Sequence, residues 1–309
     1  MSQSHQLKPA DKVEILSLID NSLDYLSSIE KKEVQPSRNW VRAEHGLSML
    51  VRVFSANKAH TILFDTGLTP EGTVANAEKL EVHLSEIEAI VLSHSHPDHA
   101  GGLVSVVKAA NKQDLPVIVH EDMFKTRGML KADGTIRKHQ AFPSEAQVKP
   151  ARYVKTSQPC LLAGNMVLVT GEIPRKTSFE TGLPEHTALV DGEWVPEPWL
   201  RDDRALIINV KQKGLIVLTG CGHAGIVNTV LHAKELTGID EVYAVMGGFH
   251  LAGKEHEKRI SQTVAELKRF NPKIIAPSHC TGWRGLFAIH QAMPEAFVWN
   301  SVGNLYRIE

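Results

Sequence analysis

The sequence predicts an α+β protein in which two β-sheets pack face to face with helices on their outer sides. Apolar runs of strand length recur along the chain and are separated by turns rich in glycine, serine and aspartate. In the last third, three blocks each contain a strand, a Gly- or Ser-rich turn and a helix, at residues 215–235, 242–270 and 274–291. Strands with interspersed helices in both halves favour two packed sheets. No linker divides the chain, so we expect one domain over residues 1–309.

The first half is predicted to be mostly strands. Residues 13–21 fit either a strand or a helix that continues to Glu33, and we choose a strand that stops at Asp20-Asn21 because a β-rich domain needs an opening strand. Two apolar runs joined at Ala56-Asn57-Lys58 predict a hairpin. The remaining predicted elements are the hairpin strands 47–54 and 61–65, a helix at 73–80, a strand at 87–92, a helix at 103–110 and a strand at 116–120.

The pattern weakens in residues 121–159, where Gly128, Gly134, Pro143 and Pro150 interrupt it. We interpret this stretch as an insertion over the functional site that could serve as a substrate lid. Apolar strands return after it, and Asp191-Gly192 is a strong hairpin signal. These later predictions are strands at 166–171, 205–210 and 215–218, a hairpin at 188–195 and a closing strand around 297–299.

Net charge, cysteine content and the length of apolar runs argue against several kinds of binding partner and cellular location. The 34 basic and 35 acidic residues give a formal net charge of -1, so neither nucleic acid nor an anionic membrane is an expected partner. Three cysteines, Cys160, Cys221 and Cys280, are too few for a disulfide framework and fit a reducing compartment. Residues 1–8 lack the apolar core of a signal peptide, and no run approaches a membrane span. We expect a cytoplasmic protein whose partner is an anionic small-molecule substrate; the oligomeric state is left open.

Metal-ligating side chains are concentrated directly after the apolar run 87–92. Residues 94–99 contain three imidazoles and one carboxylate. His94 and His96 are two residues apart, so an extended strand end can direct both side chains the same way. The turn through Pro97 then moves Asp98 and His99 toward a neighbouring point. This arrangement suits two adjacent metals better than the alternative, a surface loop that happens to be rich in histidine.

Two later strand ends supply further candidate ligands. His223 and His279 each follow an apolar strand, and we predict both as imidazole ligands. Cys221 has two open interpretations, a thiolate ligand for zinc or a small buried residue. Cys280 points the opposite way from His279 if the strand is regular, which favours packing. For His250 we rank a contact with substrate or with a metal ligand before metal binding.

Residues 94–99 form an H-x-H-x-D-H pattern that resembles, without a gap, the metal-binding motif of the metallo-β-lactamase superfamily. Six stretches, taken in order, resemble the motifs of one branch, the dihydropterin–ribofuranosylaminobenzene phosphate synthase-like family, and the match spans residues 13–309. The stretches are Ala43-Glu44-His45-Gly46-Leu47-Ser48, Ile62-Leu63-Phe64-Asp65-Thr66-Gly67, Ser93-His94-Ser95-His96-Pro97-Asp98-His99-Ala100-Gly101-Gly102, Thr219-Gly220-Cys221-Gly222-His223-Ala224-Gly225-Ile226-Val227-Asn228, Gly247-Gly248-Phe249-His250-Leu251 and Pro277-Ser278-His279-Cys280-Thr281-Gly282.

The resemblance implies a four-layer αββα sandwich, the metallo-β-lactamase fold, with a binuclear site at the sheet edges. It implies two divalent metal ions, zinc first, with manganese, iron or magnesium as alternatives. Carried over by position, the ligands of one metal are His94, His96 and His223, and those of the other are Asp98, His99 and His279.

The sequence departs from the superfamily pattern at two places. Cys221 stands where relatives usually have an aspartate that bridges the metals. The usual middle histidine motif is not visible near residues 170–174, which leaves His223 to fill that coordination. Glu172 could contribute an oxygen there.

Two cations close together can lower the pKa of a bound water or neutralise a leaving group. A hydrolase-type site acting on a phosphorylated or ester substrate is therefore expected, with Asp98 and His250 as catalytic candidates. The resemblance also implies transferase chemistry as in archaeal members, in which a hydroxymethyl-dihydropterin diphosphate is joined to a ribosylated aminobenzene phosphate.

Two further questions stay open at the level of sequence. Arg284, Arg175 and Lys176 could hold phosphate, or they could be solvated surface charges. A different class of function is a metal-bound sensor or redox protein without turnover, in which Cys221 tunes the metal.

Overall fold

The structure is a computed structural model that describes residues 6–27, 29, 31–56 and 58–309. The strands of this part of the chain are β1 (Lys12–Ile19), β2 (Val34–Gln35), β3 (Ser48–Ser55), β4 (Lys58–Phe64), β5 (Ala89–Val91), β6 (Pro116–Val119), β7 (Arg127–Leu130), β8 (Ile136–Lys138), β9 (Arg152–Lys155), β10 (Cys160–Leu162), β11 (Val167–Val169), β12 (His186–Val190), β13 (Glu193–Pro196), β14 (Ala205–Val210), β15 (Gly214–Thr219), β16 (Val242–Gly248), β17 (Ile274–Ser278) and β18 (Leu305–Ile308). Its α-helices are α1 (Gly72–Lys79), α2 (Pro97–Ala100), α3 (Leu103–Ala110), α4 (Ile226–Thr237), α5 (Lys254–Glu257), α6 (Ile260–Phe270) and α7 (Gly282–Ala292).

Two large sheets organise the molecule. The first has the strand order β2-β18-β1-β3-β4-β5-β6-β9, and the second has the order β10-β11-β14-β15-β16-β17. Strands β4, β5, β6 and β9 run parallel, as do β15, β16 and β17. Because the carboxyl ends of parallel strands meet at one edge of a sheet, the loops after β4 and β5 gather together, and so do those after β15, β16 and β17.

Side-chain alternation along the strands separates the layers. Ile62 and Phe64 of β4 enter the core between the two sheets, while Leu63 packs outward in the cluster that contains Leu103 of α3. In the second sheet, Ile216 and Leu218 face the central core, and Val217 packs outward in the cluster that contains helix α4. The order of layers is helices, sheet, sheet, helices, which confirms the predicted αββα sandwich.

The first half follows the sequence prediction closely. Residues 12–19 form strand β1 and not a helix, and β3 and β4 pair antiparallel as the predicted hairpin. Asn57 of the predicted turn lies outside the described residues. Helix α3 has the predicted bounds, Leu103–Ala110. The opening strand is stabilised by two antiparallel neighbours, β3 and β18.

The predicted closing strand around residues 297–299 is wrong. Phe297 makes one isolated bridge with Ile275, and its N–H donates to the carbonyl of Met293 in a turn that follows α7. The chain closes instead with β18, in which Tyr306 and Ile308 are buried and Arg307 is exposed. Alternation of buried and exposed side chains is typical of a half-buried strand. Strand β18 lies beyond residues 297–299, whose hydrophobicity suggested the closing strand.

Residues 121–159 contain more regular structure than the sequence pattern suggested. Strand β9 joins the edge of the first sheet, parallel to β6. Strands β7 and β8 pair with β12 and β13 in a separate four-stranded sheet, the small sheet, of order β13-β12-β7-β8. The predicted Asp191-Gly192 hairpin connects β12 and β13, and both turn residues have positive φ. A lid function for this segment stays a prediction.

The observations that bear on compartment are few. No helix in the described part of the chain is long and apolar enough to cross a membrane. Within that part Cys160, Cys221 and Cys280 are free thiols, as expected. Residues 1–5 of the N-terminal stretch lie outside the described residues, and the cytoplasmic assignment stays a prediction.

Candidate metal centre

The histidine cluster follows the carboxyl end of β5 and continues into a short helix, α2. Helix α2 begins at Pro97, whose fixed φ and missing N–H suit a first helical position. The next turn is pressed against the loop after β4, because a Cβ built on Gly101 would lie 1.9 Å from the carbonyl oxygen of Leu68. This close approach, which requires a glycine, fixes Asp98 and His99 relative to β4.

Three imidazoles converge to form the first donor group. His223 Nε2 lies 3.2 Å from His94 Nε2 and 3.2 Å from His96 Nδ1. Burial lowers the pKa of all three residues, that of His96 to about 3. Neutral imidazoles with converging nitrogens fit a divalent cation, and the resemblance assigned these three residues to one metal.

The second donor group is built from Asp98, His99, His279 and Cys221, whose donor atoms all lie within 4.8 Å of one another. His99 Nε2 is 3.2 Å from His279 Nε2 and 3.1 Å from Cys221 Sγ. Asp98 Oδ2 is 3.1 Å from His279 Nε2. Burial opposes ionisation of Asp98, yet His99 and His279 outweigh it and hold the pKa of this carboxyl well below its usual range.

Cys221 lies between the two groups. Its sulfur is also within 4.8 Å of the donor atoms of His94 and His223. The side chain is buried, and burial raises the pKa of the thiol well above its usual value. Of the two open interpretations, the geometry favours the ligand, because a purely structural cysteine has no need to contact both sets of imidazoles. The mixed nitrogen, oxygen and sulfur donor set is of the kind that binds divalent cations such as zinc.

Residues from other strands orient the second group, and sequence reasoning missed them. Asp65, at the end of β4, contacts His99 Nδ1 at 2.7 Å and accepts from the backbone N–H and the hydroxyl of Ser93, each at 2.7 Å. Burial alone would lower the pKa of His99, but the Asp65 and Asp98 carboxylates raise it to about 9. Asn21 Oδ1 lies 2.9 Å from His279 Nδ1. An aspartate directly after a parallel strand was the available signal for Asp65.

Three side chains surround the donor groups. His45 Nε2 lies 3.5 Å from Asp98 Oδ2. The ring of His250 packs against that of His223 with centroids 4.3 Å apart. Cys280, for which packing was preferred, lies with His250 within 4.8 Å of the Cys221 sulfur. The preference for packing assumed a regular strand, in which the side chains of His279 and Cys280 point in opposite directions. The strand is not regular here, because β17 ends at Ser278 and His279 has a positive φ of 49°.

The cations suggested for phosphate binding have partners within the chain. Lys176 pairs with Glu235 at 2.6 Å, and Arg284 pairs with Glu257 at 2.9 Å, on exposed surfaces. These pairs favour the surface-charge alternative for Lys176 and Arg284. Arg175 donates to the backbone carbonyls of Ile173 and Trp199. Glu172 contacts His120 at 3.4 Å and belongs to none of the donor groups found among the described residues.

A buried carboxyl behind the site predicts a pH effect on stability. Asp203 accepts the N–H of Ala224 at 2.7 Å, and its other oxygen has no hydrogen-bond partner among the described residues. Burial raises the pKa of Asp203 from 3.8 to about 7, so the folded state holds this proton more tightly than the unfolded state. The stabilisation is complete below pH 3.8 and is lost as the pH rises through 7.

Asp203→Asn, which mimics the protonated carboxyl, should therefore gain stability over the wild type as the pH rises from about 4 to 7. The expected gain is between about 1 and 4 kcal/mol, since one pKa unit corresponds to about 1.4 kcal/mol. Urea unfolding of both proteins across this pH range measures it. A difference in unfolding free energy that does not change with pH would contradict the assignment.

An αββα sandwich with two adjacent donor groups at its sheet edges defines a class of metal-dependent enzymes. Residues 41–279 match the family model described as the metallo-beta-lactamase superfamily. The chain belongs to that superfamily, and it is a metal-dependent enzyme, which confirms the enzyme expectation.

Two curated relatives come from Methanocaldococcus jannaschii. One is 7,8-dihydropterin-6-methyl-4-(beta-D-ribofuranosyl)-aminobenzene-5'-phosphate synthase, 35% identical over 247 residues that cover 78% of this chain and 82% of the relative. The other is an uncharacterized protein, 31% identical over 275 residues that cover 86% of this chain and 94% of the relative. The branch suggested by the six sequence motifs is confirmed by the first of these.

Two solved structures share the fold. Tm1679, a metal-dependent hydrolase of the beta-lactamase superfamily, superposes with a TM-score of 0.73 at 22% identity, covering 96% of this chain and 98% of that one. YhfI from Bacillus subtilis, a metallo-beta-lactamase fold protein, gives a TM-score of 0.53 at 12% identity over 96% of this chain and 100% of that one. At these identities the likeness establishes the fold alone.

Proposed function

We propose that this chain is a binuclear enzyme that joins an activated dihydropterin to a phosphorylated ribosyl-aminobenzene. The observation that supports this proposal is the convergence of two donor groups on the Cys221 sulfur, an arrangement that suits two adjacent cations. The reaction class is supported by the 35% identity to the synthase of M. jannaschii. The proposed ligands of the first position are His94, His96 and His223, those of the second are Asp98, His99 and His279, and Cys221 is shared.

The reaction would form a bond between the amine nitrogen of the aminobenzene and the methylene carbon of the pterin. The carbon–oxygen bond to diphosphate breaks, the diphosphate leaves with the electron pair, and the amine loses a proton. Two bound divalent cations would supply charge that stabilises the departing diphosphate. The same charge could assist hydrolysis of an ester, which is the second reaction that this type of site permits.

The chain contributes position and electrostatics. Asp65 holds the His99 ring through Nδ1, which leaves Nε2 directed at the second donor group. Asp98 is partly exposed and lies next to the more exposed His45, so this side of the centre is open to solvent and is where a substrate would enter. The His250 ring packs against that of His223, which supports a contact between His250 and a substrate that reaches the first position.

A direct test incubates the zinc- or manganese-loaded protein with 7,8-dihydropterin-6-ylmethyl diphosphate and 4-(β-D-ribofuranosyl)aminobenzene 5'-phosphate. Mass spectrometry should detect the condensed product and an equal amount of diphosphate, and only when both substrates are present. A parallel panel of phosphodiesters, lactones and thioesters measures hydrolysis. Efficient hydrolysis of one panel member without any condensation would replace the transferase proposal by a hydrolase.

His250→Ala should weaken substrate binding while the metals are retained. We expect KM to rise about tenfold, since the ring packs against that of His223 and is not among the seven proposed ligands. Metal analysis and steady-state kinetics measure the two effects, with His279→Ala as the metal-losing reference. His290→Ala, on the exposed side of α7, is the matched control. Metal loss equal to that of His279→Ala would make His250 a ligand.

A further inference from the structure

We infer that His186, the first residue of β12, is a positioning residue that holds the ring of His96 toward the first donor group. This inference rests on the proposed binuclear centre, and it assigns a role to the small sheet in addition to any lid function. His186 is fully buried, and its Nε2 lies 3.3 Å from His96 Nε2. The two residues are 90 positions apart in sequence, and neither motif spacing nor periodicity connects them.

The nitrogen assignments of the two rings are complementary. His96 directs Nδ1 at His223 Nε2, so this nitrogen must offer its lone pair when a cation is bound. A neutral imidazole has one N–H, which then lies on Nε2 of His96. His186 Nδ1 lies 3.1 Å from the backbone carbonyl oxygen of Glu197, which can only accept, so the His186 proton lies on Nδ1. His186 Nε2 therefore carries a lone pair and accepts the N–H of His96.

A buried ion cluster fixes His186 and the backbone next to His96. The Glu197 carboxylate lies 3.4 Å from His186 Nδ1, and Arg127 of β7 donates to both Glu197 oxygens, at 2.7 and 3.0 Å. Arg127 also donates to the Ser95 hydroxyl at 2.6 Å and to Asp202. Asp202 accepts the backbone N–H of Ser95 at 3.1 Å. His96 is thus held at its ring by His186, and Asp202 holds the backbone of the preceding residue, Ser95.

The charges in this ion cluster indicate that it holds His186 and the backbone of Ser95 in place and does not bind substrate. Arg127 is almost completely buried and is neutralised by two carboxylates, so it is not free to bind an anionic substrate. Residues that hold the second nitrogen of a metal-ligating histidine fix its orientation, and their loss typically weakens metal binding 10- to 100-fold.

The main competing explanation is a third cation site. The donor atoms of His96, His139 and His186 lie within 4.8 Å of one another. A cation there would need the Nε2 lone pair of His96 while Nδ1 serves the first donor group, and a neutral imidazole cannot offer both. The hydrogen bond to His186 requires no such deprotonation, and the number of bound metals distinguishes the two explanations.

The experiment measures metal affinity in the absence of substrate, by competition with a chelator. His186→Phe should weaken the first position 10- to 100-fold and leave the second within about twofold, because the ring volume is kept and the acceptor is lost. His186→Gln, whose amide oxygen can accept the same N–H, should recover most of the affinity. His139→Phe is the matched control and should bind both metals as the wild type does.

Two outcomes would overturn the inference. One is first-position affinity in folded His186→Phe equal to that of the wild type. The other is a third metal in the wild type that is lost in both His139→Phe and His186→Phe. If His186→Phe does not fold, nitrogen-15 NMR of the metal-loaded wild type decides: His186 must carry its proton on Nδ1 and accept at Nε2, and a proton on Nε2 of His186 refutes the inference. A wild type that binds fewer than two metals would instead refute the proposed binuclear centre.

Discussion

Asp98→Asn should yield a folded protein that retains one metal ion per chain and loses activity on the order of a thousandfold. Asp98 provides the one carboxylate in the second donor group found among the described residues, and its Oδ2 lies 3.1 Å from His279 Nε2. An amide keeps the shape of this side chain and removes the charge, so the second position keeps its nitrogen and sulfur donors without a carboxylate. Asp98 is not among the proposed ligands of the first position, so the first metal should stay bound.

Elemental analysis of dialysed protein, together with circular dichroism, measures this result. Asp240→Asn is a suitable control, because Asp240 is an exposed carboxylate that pairs only with Lys234 among the described residues. It should keep two metals and full activity. Retention of two metals by folded Asp98→Asn would refute the assignment of Asp98 as a ligand, whatever its effect on turnover.

The fold was predictable because short stretches of neighbouring residues determine most of its strands and helices. Continuously apolar strands such as Ile62-Leu63-Phe64 predict a sheet that is buried on both faces, and the three strand–turn–helix blocks predict parallel strands covered by helices. The closing strand was missed for the same local reason. The hydrophobic run at 297–299 is more apolar than β18, but Phe297 makes one isolated bridge, with Ile275 of β17 in the second sheet. Residues 305–308 instead form a regular strand between β1 and β2 in the first sheet.

The donor residues of the site were predictable from motifs, and the residues that orient them were not. His94 to His99 are adjacent in sequence, so their chemistry is visible there. The contact between Asp20 and the backbone N–H of His279 spans 259 residues, and that between His96 and His186 spans 90. Such pairs exist only because the fold brings together segments that are distant in sequence. Cys280 was misplaced because alternation describes a regular strand and β17 ends before it.

Cys221 is the one residue whose donor atom lies within 4.8 Å of ligand atoms in both donor groups among the described residues, so its replacement should have a large effect. Cys221→Ala should weaken metal binding at both positions, because the sulfur lies 3.1 Å from His99 Nε2 and within 4.8 Å of the donor atoms of His94 and His223. Removing a ligand that belongs to only one group would affect one position alone. Loss at both positions is therefore the signature of a shared donor.

The Cys221→Asp variant tests whether metal binding requires sulfur at the shared position or only a donor atom of some kind. A carboxylate can occupy the shared position, so two metals should be recovered, but thiolates favour zinc whereas carboxylates suit manganese and magnesium. We expect the preference for zinc over manganese to fall at least tenfold in competition binding. The cobalt-loaded variant should also lose its sulfur-to-metal charge-transfer absorption. Cys160→Ala, which changes a half-buried cysteine in β10, should alter none of these properties. An unchanged metal preference in Cys221→Asp would mean that the sulfur binds neither metal, and the two donor groups would then be linked only by their common sheet edge.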